Sequence, residues 1–212
     1  MSHTNLSTDL KQACVQAAHE VIAEKGIDQL SLRDVARKLG VSHQAPYRHF
    51  ASKTHLLAAV IARCFRDFAG FLDQRQHQAD PLDDLAAMGA QYVSYAMQHP
   101  LEYQLMFGSG WPGCCPPGEA EAQLNADPEL IRDALHAFNL LREALGRLHG
   151  NTKAAKEKRD LDALFVWSTM HGLVSIVQCN AMQDLQLPAK LQAKVPQHVF
   201  AMIRAALAAR LG

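Results

Sequence analysis

Residues 31–53 read SLRDVARKLGVSHQAPYRHFASK, and this stretch decides the fold. Ser31 is a helix-capping residue, and Asp34 follows three residues on, where a carboxylate favours the first-turn amides. Leu32, Val35, Ala36 and Leu39 then fall on one helical stripe. Gly40, free to take positive φ, ends that helix. After the turn at Gly40-Val41, Ser42 is placed to cap a second helix carrying His43, Gln44, Tyr47, Arg48 and His49. Ser52 caps a third, with Lys53 at its first position. Two short helices joined by a tight Gly-containing turn, the second polar on one face, are the arrangement that enters a DNA major groove.

The flanks read as helices too. Leu10, Cys14, Ala17, Val21 and Ile22 predict a first helix from about Leu6 to Lys25, stopped by Gly26. Downstream, Leu56, Leu57, Val60, Ile61, Cys64, Phe65, Phe68 and Phe71 predict a long helix from Ser52 to about Gln78. No flexible linker precedes it, so it reads as a rigid lever. Further helices are expected over Leu82–Gln98, Leu101–Phe107, Pro128–Gly150, about Arg159–Met182 and Leu191–Leu211. Gly108 to Asp127 is the longest loop, and Asn151 to Lys158 reads as a polar connection. No period-2 alternation is long enough for a strand. The expectation is an all-α chain of about nine helices. A three-helix DNA-binding domain at 1–52 precedes a helical bundle for ligand binding and dimerisation at 53–212.

Composition narrows the function. The chain has 212 residues, of which 49% are hydrophobic, and this excludes disorder. Its formal net charge is zero, so any nucleic-acid affinity must come from a local patch. Four basic side chains, Arg33, Arg37, Lys38 and Arg48, crowd the opening stretch. Met1 to Leu10 is polar, and the apolar region Leu161–Met182 is interrupted by Asp162, Ser168, His171, Ser175, Gln178 and Asn180. A cytoplasmic chain with no membrane partner is expected. No Gly-rich phosphate loop, GxSxG elbow or HExxH pair is present, so neither catalysis nor a cofactor is expected.

The run YRHFASK at 47–53 resembles the signature of TetR-type transcriptional regulators, and the likeness is dense from Leu10 to Leu57. Trp167, His171 and Gly172, with HPLEYQLMF at 99–107, resemble a TetR subgroup with a Trp-His-Gly motif in its regulatory domain. The resemblance implies nine helices in this order and a homodimeric repressor released from a palindromic, double-stranded operator by a small effector. It also implies phosphate contacts from Tyr47, His49 and Lys53, to which Ser42 is added. His43 and Gln44, in the first turn of the second helix, are the expected base readers, with Arg33, Ala45 and Arg48. Pro46 departs from the commoner family pattern.

Tyr92, Tyr95, Tyr103, Met106, Phe107, Trp111, Phe138 and His171 are the candidate effector contacts. Their aromatic and Met-rich character suits an apolar or aromatic effector. Trp167, Ser168, Gly172 and Ser175, with Val199 and Ile203 of the last helix, are the candidate dimer interface, small residues letting helices approach closely. The competing reading is a thiol or metal sensor using the adjacent Cys114 and Cys115, with His99 and His136 at the loop margins. The five cysteines show no zinc-type spacing.

Overall fold

A computed structural model describes residues 3–108, 127–149, 152–179 and 181–210. All regular elements in them are helical, as expected, and no strand occurs among the described residues. The elements are α1 (His3–Lys25), α2 (Leu32–Leu39), α3 (Lys53–Asp73), α4 (Pro81–Gln98), α5 (Pro100–Phe107), α6 (Pro128–His149) and α7 (Lys153–Gln178). The one-turn helices α8 (Ala181–Asp184) and α9 (Ala189–Gln192) and the last helix α10 (Val195–Ala208) follow. Two 3-10 turns, Ile27–Gln29 and Pro46–Arg48, lie between the first three helices.

Some boundaries differ from expectation for visible reasons. α7 starts at Lys153, inside the stretch taken for a connection, because Thr152 caps it and accepts a hydrogen bond from the Ala155 amide at 3.1 Å. The Ala, Lys, Glu and Arg that follow are good helix formers. The expected last helix begins in two pieces, with Pro196 in the first turn of α10. α3 ends at Asp73, five residues short of the expected Gln78.

The chain divides into two compact units, 1–67 with 101–135 and 68–100 with 136–212. In the first, Cys14, Val21, Ile22, Leu30, Val35, Phe50, Leu56, Phe65, Tyr103, Met106 and Leu130 are buried. A polar seam ties α1 and α3 to α5 and the start of α6. His19 Nε2 lies 2.9 Å from Glu102 Oε1, Lys11 Nζ lies 3.0 Å from Glu129, and Arg66 meets the buried Asp133 carboxylate. The first unit therefore holds more than the DNA-reading elements.

In the second unit an aromatic stack fixes α4 on the end of α3. Phe68 packs edge-on against Tyr92 and Tyr95, with centroids 5.4 and 5.0 Å apart, and Phe71 packs on Tyr95 at 5.3 Å. A buried charge holds the corner between these helices. The Asp84 carboxylate accepts from Arg75 Nη2 and Arg147 Nη1, both at 3.1 Å, and from the Gln78 amide at 3.0 Å. Arg147 also donates to the Gln78 and Ala79 carbonyls at 3.1 and 3.0 Å, and Arg75 to that of Leu72 at 3.1 Å. One carboxylate thus closes the corner, which is why residues 74–80 turn instead of continuing α3. Burial alone would raise the Asp84 carboxyl. The Arg75 hydrogen bond, the Gln78 amide and the nearby positive charge outweigh it and hold the group below its ordinary range.

Replacing Asp84 by Asn leaves the buried Arg75 guanidinium with only the exposed Asp73 carboxylate, 3.7 Å away, and should cost about 3 kcal/mol in urea unfolding at neutral pH. Because the folded-state value is depressed, this contribution is full above about pH 4 and is lost as pH falls through the lower folded value. The gap between wild type and Asp84→Asn should therefore narrow on acidification.

Candidate nucleic-acid interface

The interface is built on local capping. Ser31 Oγ accepts from the Asp34 amide at 3.1 Å and donates to the Asp34 carboxylate, which Arg37 also reaches. The Ser31 hydrogen bond and the Arg37 charge hold the Asp34 carboxyl below its ordinary range. At the other end of α2, Gly40 adopts φ 66° and ψ 26°. Its amide donates to Arg37 O at 3.2 Å, and Val41 N donates to Ala36 O at 3.1 Å, closing the turn.

The second helix expected from Ser42 does not form as an α-helix. Ala45 N donates to Ser42 O at 3.0 Å, Arg48 N to Ala45 O at 3.3 Å and His49 N to Pro46 O at 3.0 Å, each over three residues. The segment is a turn followed by the 3-10 turn Pro46–Arg48, which has no side-chain cap. The cause is Pro46: it has no N–H to give the Ser42 carbonyl, the bond an α-helix needs here. Its ring is buried, so the segment is anchored at that point.

Around this anchor Ser42, His43, Gln44, Tyr47 and Arg48 are exposed, as are Arg33 on α2 and Lys53 on α3. Tyr47 keeps 51% of its surface. Ala45 and His49 are half-buried, and Phe50 is buried with its ring 6.5 Å from that of His49. Ser52 caps α3 by accepting from the His55 amide at 3.3 Å. Lys53 Nζ donates to the Asp28 carbonyl at 2.9 Å, tying the start of α3 to the Ile27–Gln29 turn. Two of the ammonium's three N–H donors remain for another acceptor.

Charge on this surface is more selective than the sequence suggests. Arg37 pairs with Asp34, while Lys38 Nζ lies 2.6 Å from Glu24 and 3.1 Å from Glu20 on α1. Lys25 is 3.9 Å from Asp34. Arg33, Arg48 and Lys53 take part in no ion pair among the described residues. The partners of Lys38 are 14 and 18 positions away, so local pattern could not show which cations are neutralised.

The candidate effector residues fall into both units. In the first, Tyr103 and Met106 are buried, and Phe107 packs on Tyr103 at 5.0 Å and on Phe65 at 5.5 Å. In the second, Tyr92 and Tyr95 are buried in the aromatic stack. Phe138, Trp167 and His171 form a half-buried row, with centroids 6.0 and 6.1 Å apart in turn, and the Arg142 guanidinium lies 5.1 Å from the Phe138 centroid. Burial lowers the His171 imidazole. Trp111 lies outside the described residues.

Of the candidate dimer residues, Ser168 and Ser175 are exposed, Trp167, Gly172 and Val199 half-buried, and Ile203 buried within its own unit. The sequence reading missed Leu161, Leu164, Phe165 and Ile176, which stand exposed on the Ser168 and Ser175 stripe of α7. Leu161 keeps 59% and Leu164 51% of their surfaces. The signal was available, since an all-round apolar helix with three- and four-residue spacing has a second apolar face.

Cys114 and Cys115 lie outside the described residues. Among the described residues no group of His, Cys, Asp and Glu could hold a metal ion. Burial pushes the Cys64 thiol up to about 12, which makes it inert, and His99 stacks on Tyr95 at 4.7 Å. The sensor reading gains no support here.

Comparison with known proteins agrees with this geometry. Residues 15–60 match the family model of bacterial regulatory proteins of the tetR family, and residues 85–194 match that of the tetracyclin repressor-like C-terminal domain. An HTH-type transcriptional regulator of Mycobacterium tuberculosis, Rv1816, is 30% identical over 111 residues. That alignment takes in 51% of this chain and 47% of the relative, so it spans about half the relative's length. A Rhodococcus sp. RHA1 protein of unknown function shares the fold with a TM-score of 0.66 and 23% identity over 93% of both chains. A TetR variant of Acinetobacter baumannii, solved with minocycline, has a TM-score of 0.58 at 16% identity, covering 94% of this chain and 96% of its own.

Gly40 gives a clean test of the turn. A Cβ there would meet no atom within 4 Å, so its cost is backbone strain alone. Gly40→Ala should lose about 1 kcal/mol in urea unfolding, and Gly40→Asn clearly less.

Proposed function

The chain belongs to the TetR family of transcriptional regulators, and from that premise we propose that it is a cytoplasmic, homodimeric repressor. It binds a palindromic operator and is released by a small apolar or aromatic effector. The observation that carries the reading is the exposed polar surface around buried Pro46, where Arg33, Arg48 and Lys53 stay outside ion pairs among the described residues. No helix among the described residues is long and apolar enough to cross a membrane.

In this reading Arg33, His43, Gln44 and Arg48 address base edges, and Ala45 approaches a thymine methyl. Ser42, Tyr47, His49 and Lys53 fix register on phosphates. Residues 1–52 form the reading domain and 53–212 the regulatory one. The apolar α7 stripe, with α10, supports pairing with a second copy. In this reading the chain falls in the Trp-His-Gly subgroup, which the Trp167, His171 and Gly172 motif supports. Tyr92, Tyr95, Phe138 and His171 of the second unit take up the effector, and the neighbour solved with minocycline supports small-molecule binding in such a fold. α3 runs unbroken from Lys53 to Asp73, so displacement of its far end reaches Lys53, the last residue of the reading stretch. Release follows when two reading heads no longer match half-sites one helical turn, about 34–36 Å, apart.

Selection of bound duplexes from a random pool tests the reading. It should enrich a palindrome with half-sites one turn apart, and an unenriched pool contradicts it. On the selected site, Gln44→Ala and Arg48→Ala should each cost about 1–3 kcal/mol and relax specificity at one position. Arg37→Ala should change affinity less than threefold, because Asp34 already holds that guanidinium. Ile176→Glu should give a folded monomer by sedimentation, with operator binding lost.

A further inference from the structure

We propose that His19 and Glu102 are positioning residues: their hydrogen bond sets how α1 holds the reading head, and with it the half-site spacing that a dimer accepts. The inference rests on the dimeric DNA-reading role proposed above, and it gives the head a second attachment besides α3.

One turn of α1 carries the connection. Gln16, His19 and Glu20 reach α3, α5 and α2 in turn, all within the first compact unit. Gln16 Oε1 accepts from Arg63 Nη1 of α3 at 2.5 Å, and Gln16 Nε2 donates to Glu20 Oε1 at 2.9 Å. Glu20 Oε2 lies 3.1 Å from Lys38 Nζ of α2, the first helix of the reading motif. His19 Nε2 lies 2.9 Å from Glu102 Oε1 of α5, 83 positions away. A carboxylate only accepts, so Nε2 carries the proton in this contact whether the ring is neutral or charged.

The two side chains keep 25% and 22% of their surfaces, so the bond is largely shielded from competing water. The other tie from α1 to this seam, Lys11 to Glu129, is exposed on both sides, where ion pairs hold little. Apolar burial is non-directional, whereas a hydrogen bond weakens steeply away from its preferred angle and distance. The His19–Glu102 pair therefore fixes the register of α1 on α5, and Glu20 passes that register to α2 through Lys38.

The test uses three duplexes: the palindrome enriched in the selection above, the same palindrome with two base pairs inserted between its half-sites, and a duplex with one half-site. The insertion moves the second half-site by about 7 Å. Binding is measured well below each variant's melting temperature. His19→Ala and Glu102→Ala should each lose about fivefold of the preference for the uninserted palindrome, with half-site affinity unchanged. The double variant should lose no more than either alone. His19→Gln, whose amide N–H stands where imidazole Nε2 stood, should keep the preference. Unaltered preference in both alanine variants overturns the inference. So do additive losses, an equal loss on the half-site, or a loss that Gln fails to restore, since each makes the pair an ordinary stability contact. If no palindrome is enriched, the dimeric reading falls, and this inference with it.

Discussion

Pro46 has no amide hydrogen, and its ring is buried in the head. That constraint shapes the segment from Ser42 to His49, which the proposed function turns toward DNA. The Ser42 carbonyl loses its α-helical partner, so the segment tightens into three-residue hydrogen bonds as far as His49, and Phe50 N closes it on Pro46 O at 3.0 Å. The tighter winding keeps Ala45 and His49 partly inside while His43, Gln44, Tyr47 and Arg48 stand outside. Gly40 before it and Ser52 after it hold the two ends of the segment. A reading surface here is therefore a braced turn on a core, not a free-standing helix.

A second constraint is electrostatic. The chain has no net charge, so attraction to a polyanion depends on which cations are left outside internal pairs. Acids of α1 and α2 hold two of the four basic side chains between Arg33 and Arg48. What remains is a sparse set of donors, which favours contacts of defined geometry over a diffuse positive field. The second unit shows the same economy at its corner, where the single carboxylate of Asp84 satisfies two arginines and a backbone amide.

Much of this was legible in the sequence because it is local. Ser31, Gly40 and Ser52 announce their caps within four residues, and the apolar stripes of α1 to α4 repeat at helical spacing. Pro46 stands out in the sequence as a departure from the family pattern, but the burial of its ring needs the folded chain. The start of α7 was hidden because Lys153 to Arg159 looks like a solvated connection, although its residues favour a helix once Thr152 caps it. The Asp84 network could not be read at all, since Arg147 lies 63 positions away. The pairing of Lys38 with α1 and the outer face of α7 likewise need the folded chain.

The central claim, that residues 31–53 form the DNA-reading surface, is most directly tested by hydrogen exchange of the full chain with and without duplex. The account predicts slowed exchange confined to peptides covering this stretch. Unchanged exchange there, with slowing at the basic start of α7 between Lys153 and Arg159, would contradict it.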